Sequence, residues 1–270
     1  MTMESTNLTI NTLKKMFKEG KRFDGRKLDN FREIMVSYDV SNKAEGSARV
    51  KVGKTEVIAG VKLAPGTPYP DSLDKGNLMV SGDLLPLASP RFEAGPPGFT
   101  AIELPRLLDR AIRESHMIEL DKLVIKEGEK VWTVIIDVYP LNDDGNLIDV
   151  ACLAAVAALK KAKIPELDEN GIIDYEKKSE KPLPLAEGIL PTSISFFKLG
   201  DSIILDPTRE EEEACEARIT FGVSNWNGQR MINSCQKSKA ATFSSEEIES
   251  MMKMLPGKFD DVNEKLKKFL

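Results

Sequence analysis

The stretch SARVKVGKTEVIAGVKL (residues 47–63) decides the fold, because its layout occurs twice in the chain. Two runs rich in β-branched residues flank one glycine, Gly53, which is the pattern of a hairpin closed by a tight turn. The later stretch ISFFKLGDSIILDPT (194–208) has the same order of a β-rich run, one glycine (Gly200) and an aliphatic run. The repetition predicts two similar units, each containing such a hairpin.

Helical patterns follow the predicted strands in both halves. The stretch NLIDVACLAAVAALKKA (146–162) is apolar on all sides for three turns, which predicts a buried helix. In the second half, SSEEIESMMKML (244–255) begins with the capping-box residues Ser244 and Glu247, and FDDVNEKLKKFL (259–270) is predicted to form a separate last helix. Strands followed by helices in each half indicate an α+β protein with duplicated β-α-β-α lobes.

The sequence predicts four segments. Residues 1–20 are expected to form an N-terminal helix, and residues 21–165 the first lobe. Residues 166–190 are polar, charged and bounded by prolines, so they are expected to link the lobes. Residues 191–270 then make the second lobe with its C-terminal helices.

Composition excludes several classes of function. The net charge of −5 argues against an extended basic surface for nucleic acid, so any contact with RNA requires a local basic cluster. The only histidine, His116, is expected on a surface helix, and three cysteines without a C-x-x-C pair suggest neither a zinc site nor a disulfide framework. Apolar runs are too short to span a bilayer, and the N-terminus lacks signal-peptide features, so a cytoplasmic location is expected.

Four features in order resemble the ribonuclease PH family of phosphorolytic RNA exonucleases. They are the opening RFDGRKLDNFREI (22–34), the hairpin around Gly53, the helix PRLLDRAIRES (105–115) and the junction LNDDGNLIDVACLAAVAAL (141–159). The resemblance covers about residues 20–256 and is greatest to the non-catalytic ring subunits of the archaeal-type exosome.

This resemblance implies a ring-forming protomer with an RNase PH-like fold. It implies that the chain alternates with a catalytic RNase-PH-like subunit in a trimer of heterodimers, which degrades RNA in the 3′-to-5′ direction. RNA-binding cap subunits and single-stranded RNA are further partners that it implies. No cofactor and no metal ion are expected for this chain.

The junction DDGNLIDV (143–150) is expected to hold a degenerate phosphate site. In active family members, this turn carries a small hydroxyl residue and an arginine that bind the attacking phosphate, and their positions correspond to Leu147 and Ile148. Neither side chain offers a donor or a charge. A metal site built from Asp143, Asp144 and Asp149 is the alternative, although Asp149 is better explained as an acid that complements the dipole at a helix N-terminus.

The stretch DPTREEEEACEARITFGVS (206–224) is expected to hold the degenerate catalytic position. Active members have two aspartates six residues apart here, and counting from Asp206 places them on Glu212 and Arg218. A guanidinium stays protonated, so it can neither protonate a leaving oxygen nor bind Mg²⁺. Without the family, the glutamates at 210–213 are best explained as a solvated turn, part of whose charge Arg218 neutralises.

A catalytically inactive chain is therefore the main prediction, and two alternatives stay open. One is an active phosphate-dependent 3′-to-5′ exoribonuclease that uses Glu212 and Asp206 in a shifted arrangement. The other is a purely structural ring scaffold without RNA contact.

Four arginines are the candidate RNA-binding residues. At about 100° per residue, Arg106, Arg110 and Arg113 lie within a roughly 60° fan on the polar side of one helix, where they could track successive phosphates. Arg106 and Arg110 match an arginine pair of the family. Arg91, in a loop rich in proline and glycine, could lie at a channel or an interface. The alternative is an ordinary surface, on which the helix arginines pair with acids of their own helix, namely Glu103, Asp109 and Glu114.

Overall fold

The computed structural model describes residues 6–168, 173 and 179–269. The first sheet contains six strands in the order β1-β2-β3-β6-β4, with β5 paired to β6. Its strands are β1 (Ile34–Tyr38), β2 (Gly46–Val52), β3 (Thr55–Gly66), β4 (Asn77–Gly82), β5 (Val124–Lys126) and β6 (Lys130–Asn142). Neighbouring strands are antiparallel except β4, which runs parallel to β6.

The second sheet contains four antiparallel strands in the order β10-β9-β7-β8. They are β7 (Thr192–Leu199), β8 (Ser202–Leu205), β9 (Ala217–Trp226) and β10 (Gln229–Ser238). The predicted hairpins at Gly53 and Gly200 are both present, and each glycine has a φ of +59°, which favours a residue without a side chain. The predicted α+β fold with a hairpin in each lobe is therefore confirmed.

Five α-helices accompany the sheets in the described part of the chain. They are α1 (Asn7–Lys18), α2 (Phe99–Arg113), α3 (Leu147–Lys161), α4 (Arg209–Ala214) and α5 (Ser245–Lys267), with one 3₁₀ turn at Leu120–Leu123. None of the helices in the described residues combines the length and the apolar composition of a transmembrane segment. His116 lies just beyond α2, in an exposed turn with a φ of +55°.

Helix α3 forms the common core of the two lobes. Its residues 147–159 are all buried, and it contacts β1, β2, β3 and β6 of the first sheet as well as β7 of the second. Helix α3 lies so close to β2 that only a small residue fits at the contact. A Cβ added at Gly46 would lie 2.5 Å from the carbonyl oxygen of Ala158. The helix that was predicted to be buried on all sides therefore joins the two sheets.

The prediction of two C-terminal helices was wrong. A single helix, α5, continues through Pro256, after the predicted capping box of Ser244 and Glu247 at its start. Its apolar stripe extends across the proline, so burial of this stripe outweighs the hydrogen bond that the proline removes. The buried members are Met251, Leu255, Phe259, Val262 and Leu266.

The acidic run 210–213 is helical, which corrects its interpretation as a solvated turn. It forms most of α4, which begins with a capping box between Thr208 and Glu211. Glu211 is buried and pairs with the guanidinium of Arg22, whose side chain is also buried. The partner lies 189 residues earlier in the chain, so local sequence gave no sign of this contact.

Candidate functional site: a cleft between the lobes

A cleft of about 970 Å³ brings together the degenerate positions that the sequence suggested. Its walls are the loop 83–98, the first turns of α2, the N-terminus of α3 and parts of the second sheet with α4. Ile148, Glu212 and Arg218 all line it, although they come from three different elements. The three positions that the resemblance assigns to phosphate binding and catalysis therefore meet at one place in this chain.

The N-terminus of α3 is occupied by a carboxylate of the chain itself. The backbone N–H of Asn146, the residue that caps the helix, donates to Oε2 of Glu212 over 2.7 Å. Burial raises the pKa of Glu212, and the nearby Asp143 carboxylate raises it further. Free N–H groups at a helix N-terminus attract anions, and here Glu212 supplies that anion internally.

The side chains beside this helix end are apolar. Leu147 and Ile148 are each 7% exposed and line the cleft. Neither can donate a hydrogen bond to an oxyanion, so an inorganic phosphate would meet two aliphatic groups and the Glu212 carboxylate.

Arg218 is buried and pairs with Glu103 of α2. Its Nη2 lies 2.6 Å from Oε1 of Glu103, and both residues are 8% exposed. The sequence suggested that Arg218 neutralises the acidic run 210–213, and its charge does lower the pKa of Glu212. Its direct partner is nevertheless on α2, because β9 packs against that helix.

Arg91 contacts the acidic run more directly than Arg218 does. Its guanidinium donates to Oδ2 of Asp143 over 2.5 Å and lies 3.4 Å from Oε1 of Glu213. Arg91 is half-buried within the cleft, so it does not project from the loop as a free cation.

The three aspartates of the 143–150 junction have different partners. Asp143 binds Arg91, Asp144 lies 3.4 Å from Arg32, and Asp149 contacts Ser195. Within the described ranges, no group of three or more His, Cys, Asp or Glu residues is arranged to hold a metal ion.

Asp149 joins α3 to the second sheet, a role that the sequence did not indicate. It lies in the first turn of α3, as expected for an acid that faces the dipole, and it accepts hydrogen bonds from the backbone N–H and the hydroxyl of Ser195 on β7. Complete burial raises the pKa of Asp149 to about 7.

Asp206 is held by arginines of the N-terminal segment. Arg32 donates to both of its carboxylate oxygens, at 2.8 Å from Nε and 2.7 Å from Nη2, and Arg26 donates over 3.1 Å. The side-chain amide of Asn146 donates a further bond over 3.0 Å. Asp206 is fully buried. Through these bonds the segment 22–34 of the first lobe is held against the second lobe.

Two arginines of α2 remain free at the surface. Arg106 and Arg110 are exposed, and neither makes an ion pair or a hydrogen bond with any described residue. Arg113 is half-buried and donates to Asp109 over 2.6 Å and to the carbonyl of Leu78 over 3.0 Å. Of the three arginines, only Arg113 therefore pairs with an acidic residue of its own helix, as expected for an ordinary surface.

Two family models match the chain. The model for the 3′ exoribonuclease family, domain 1, matches residues 30–165, and that for domain 2 of the same family matches residues 190–254. Together they cover most of the chain, and their boundaries separate the two sheets.

Relatives of known name match almost the whole chain. The exosome complex component Rrp42 of Methanocella arvoryzae is 44% identical over 248 residues, which cover 92% of this chain and 91% of that protein. The protein of the same name from Thermococcus onnurineus is 42% identical, with 93% and 91% covered. Among solved structures, a chain of the Archaeoglobus fulgidus exosome with RNA bound to the active site matches with a TM-score of 0.83 at 38% identity, covering 94% of this chain and 98% of that one.

Proposed function

This chain belongs to the ribonuclease PH family of 3′ exoribonucleases, and we propose that it is a non-catalytic ring subunit of an archaeal-type exosome. In this proposal it alternates with a catalytic RNase-PH-like subunit in a ring of three heterodimers. It supports the partner's active site, binds single-stranded RNA and carries RNA-binding cap subunits. The cytoplasmic location expected from the sequence is part of the same proposal.

The pairing of Arg218 with Glu103 carries the proposal that the chain lacks catalysis. A proton donor or a magnesium ligand is needed at this position in the active relatives, and a buried guanidinium can provide neither function. The ion pair also fixes Arg218 in place, because removing one partner of a buried pair leaves the other charge uncompensated. The Glu212 carboxylate at the α3 N-terminus supports the same conclusion for phosphate binding.

Contact with RNA is proposed for Arg106 and Arg110. Both guanidiniums are exposed and make no ion pair within the described residues, so they can bind phosphates without first breaking a contact. Such contacts supply affinity that does not depend on base sequence. Arg113 and Arg91 are weaker candidates, because each would have to exchange an acidic partner for a phosphate.

The structure argues against an active exonuclease in a shifted arrangement. That mechanism requires Asp206 to reach a substrate, whereas Asp206 is fully buried and accepts hydrogen bonds from Arg26, Arg32 and Asn146. Glu212, its supposed partner, is engaged at the N-terminus of α3.

The deciding experiment measures phosphorolysis with and without the partner. Nucleoside diphosphate released from poly(A) in the presence of phosphate is quantified for this chain alone, for the catalytic RNase-PH-like subunit alone and for the reconstituted ring. We expect no release from this chain alone and a higher rate from the ring than from the catalytic subunit. Robust release by the pure chain would overturn the proposal, as would a ring no faster than the catalytic subunit alone.

A further inference from the structure

The exposed face of α2 carries an aromatic side chain in line with the two free arginines. At about 100° and 1.5 Å per residue, Phe99, Arg106 and Arg110 lie within a roughly 40° fan, and Phe99 precedes Arg106 by about 10 Å along the axis. Phe99 is 69% exposed, and both arginines are exposed as well. One side of the helix therefore presents a flat apolar ring followed by two cations about 6 Å apart.

The ring of Phe99 takes no part in the core of the chain. It belongs to none of the three hydrophobic clusters that the described residues form, and the loop 93–98 before it is exposed throughout. Other residues fill the buried side of the same helix, namely Leu104, Leu107, Leu108, Ala111 and Ile112. Packing within this chain therefore leaves the ring of Phe99 open to a ligand.

No acidic side chain of α2 opposes the two cations on this face. The helix contains two acids, of which Glu103 is buried and pairs with Arg218, while Asp109 pairs with Arg113. The free charge on the exposed side of α2 is therefore positive, although the chain as a whole carries a net charge of −5. This charge favours a partner that is itself an anion.

Single-stranded RNA offers both groups that this face requires. Its phosphates are anions that recur along the backbone, and every base has a flat π face that can stack on an aromatic ring. Proteins that bind single strands combine cationic and aromatic side chains in this way. An acidic peptide without an aromatic residue would match only the charges.

We propose that Phe99 stacks on a base of the single-stranded RNA whose phosphates Arg106 and Arg110 bind. The inference rests on the proposed contact between α2 and RNA, and it adds a residue that holds a base instead of a phosphate. Because all four bases have a π face, this contact adds affinity without a strong preference for sequence.

Replacing Phe99 in the reconstituted ring tests this contact. Fluorescence anisotropy of a labelled RNA should show roughly tenfold weaker binding for Phe99→Ala, with an unchanged slope of log K against log salt, because stacking involves no phosphate. Phe99→Trp should bind RNA at least as tightly as the wild-type chain, since indole offers a larger face. The control is Phe23→Ala, which removes a phenylalanine that is 59% exposed and lies outside α2 and the cleft.

Unchanged affinity in Phe99→Ala would overturn the proposal, and so would a smaller salt slope, which would indicate a lost ionic contact. The comparison with Arg106→Ala combined with Arg110→Ala separates this outcome from a failure of RNA binding by α2. If the arginine variant lowers the slope while Phe99→Ala has no effect, only stacking on Phe99 is refuted. If neither variant changes binding, the proposed contact between α2 and RNA fails as well.

RNA that contains one abasic nucleotide shows whether a base is the group in contact. Moving this nucleotide along the RNA removes each base in turn and leaves every phosphate in place. In the wild-type ring we expect one position at which the loss of the base weakens binding roughly tenfold, and in Phe99→Ala this penalty should disappear. Equal penalties in the two rings at every position would contradict stacking on Phe99.

Light scattering of the ring separates contact with RNA from contact with a neighbouring subunit. Phe99→Ala should assemble with the catalytic subunit as the wild-type chain does, because stacking on RNA makes no demand on assembly. A variant that fails to assemble would place Phe99 between subunits and overturn the proposal.

Discussion

The carboxylate of Glu212 lies at the N-terminus of α3, where the N–H of Asn146 donates to it over 2.7 Å. A helix N-terminus beside a glycine turn is a general anion site, and this chain fills it with a side chain from α4. The position that the resemblance assigns to phosphate therefore lies between two apolar side chains, at a helix end that already has an anion.

The first prediction is that removing this carboxylate opens the helix end to phosphate. In Glu212→Ala, we expect phosphate to bind at this helix end, because the N–H of Asn146 loses its acceptor. At a phosphate concentration ten times the Kd, binding adds about 1.4 kcal/mol to the free energy of unfolding, which raises the Tm by roughly 3 °C. The measurement is Tm against phosphate at constant ionic strength. The control is Glu210→Ala, which removes an exposed glutamate. A Tm of Glu212→Ala that does not rise with phosphate would contradict the prediction.

The second prediction concerns the free arginines of α2. In the reconstituted ring, Arg106→Ala with Arg110→Ala should weaken RNA binding and lower the slope of log K against log salt by about 1.4, the value for two phosphate contacts on a single strand. Fluorescence anisotropy of a labelled RNA at several salt concentrations measures both quantities. The matched control is Arg49→Ala, which removes a half-exposed arginine paired with Glu56 on the first sheet. An unchanged slope in a ring that still assembles would show that these arginines lie on an ordinary surface and do not contact RNA.

The third prediction is that Asp206 matters to stability far more than Asp144. Both acids contact Arg32, but Asp206 is fully buried, whereas the Asp144 side chain is partly exposed and 3.4 Å away. Asp206→Ala leaves buried guanidiniums unpaired and should cost about 3–5 kcal/mol, roughly 10 °C in Tm. Asp144→Ala should cost less than about 1 kcal/mol. Urea unfolding measures both, and similar losses would disprove a special role for Asp206.

The fourth prediction concerns the pH dependence of stability through Asp149. Because burial raises the pKa of Asp149 from its ordinary value to about 7, the folded chain binds this proton more tightly than the unfolded chain does. Its contribution to stability is therefore largest below pH about 4 and falls as the pH rises towards 7, by at most about 4 kcal/mol.

The variant Asp149→Asn mimics the protonated acid: its amide oxygen can accept from the N–H of Ser195, and its NH2 can donate to the hydroxyl oxygen of Ser195. Its stability should therefore change less between pH 5 and pH 8. Urea unfolding at the two pH values gives the comparison, and the exposed Asp201→Asn is the control. If the wild-type chain and Asp149→Asn differ in free energy of unfolding by the same amount at pH 8 as at pH 5, stability is not linked to the protonation of Asp149.

Much of the fold followed from local patterns in the sequence. The hairpins at Gly53 and Gly200 and the buried helix α3 were predictable because each depends on residues close together in the chain. The unbroken α5 was not, since a proline usually ends a helix and only the packing of residues on both sides of Pro256 overrides that tendency.

The sequence suggested which residues could form the candidate site, but it did not indicate their contacts. The resemblance to active relatives pointed to Ile148, Glu212 and Arg218, and the structure brings all three to one cleft. Their partners were beyond sequence reasoning, because Asp206 meets Arg32 across 174 positions and Glu212 meets Asn146 across 66. The free state of Arg106 and Arg110, in contrast to Arg113, likewise depends on which acids lie near them in space.

The position of α3 between the two sheets has a consequence for synthesis of the chain. Residues 147–161 leave the ribosome before β7, against which one side of this helix packs. During translation, the nascent first lobe therefore exposes an apolar helix surface until the second lobe emerges, and such surfaces promote aggregation. A pause in translation after α3 has left the ribosome and before β7 has left it would prolong this exposure.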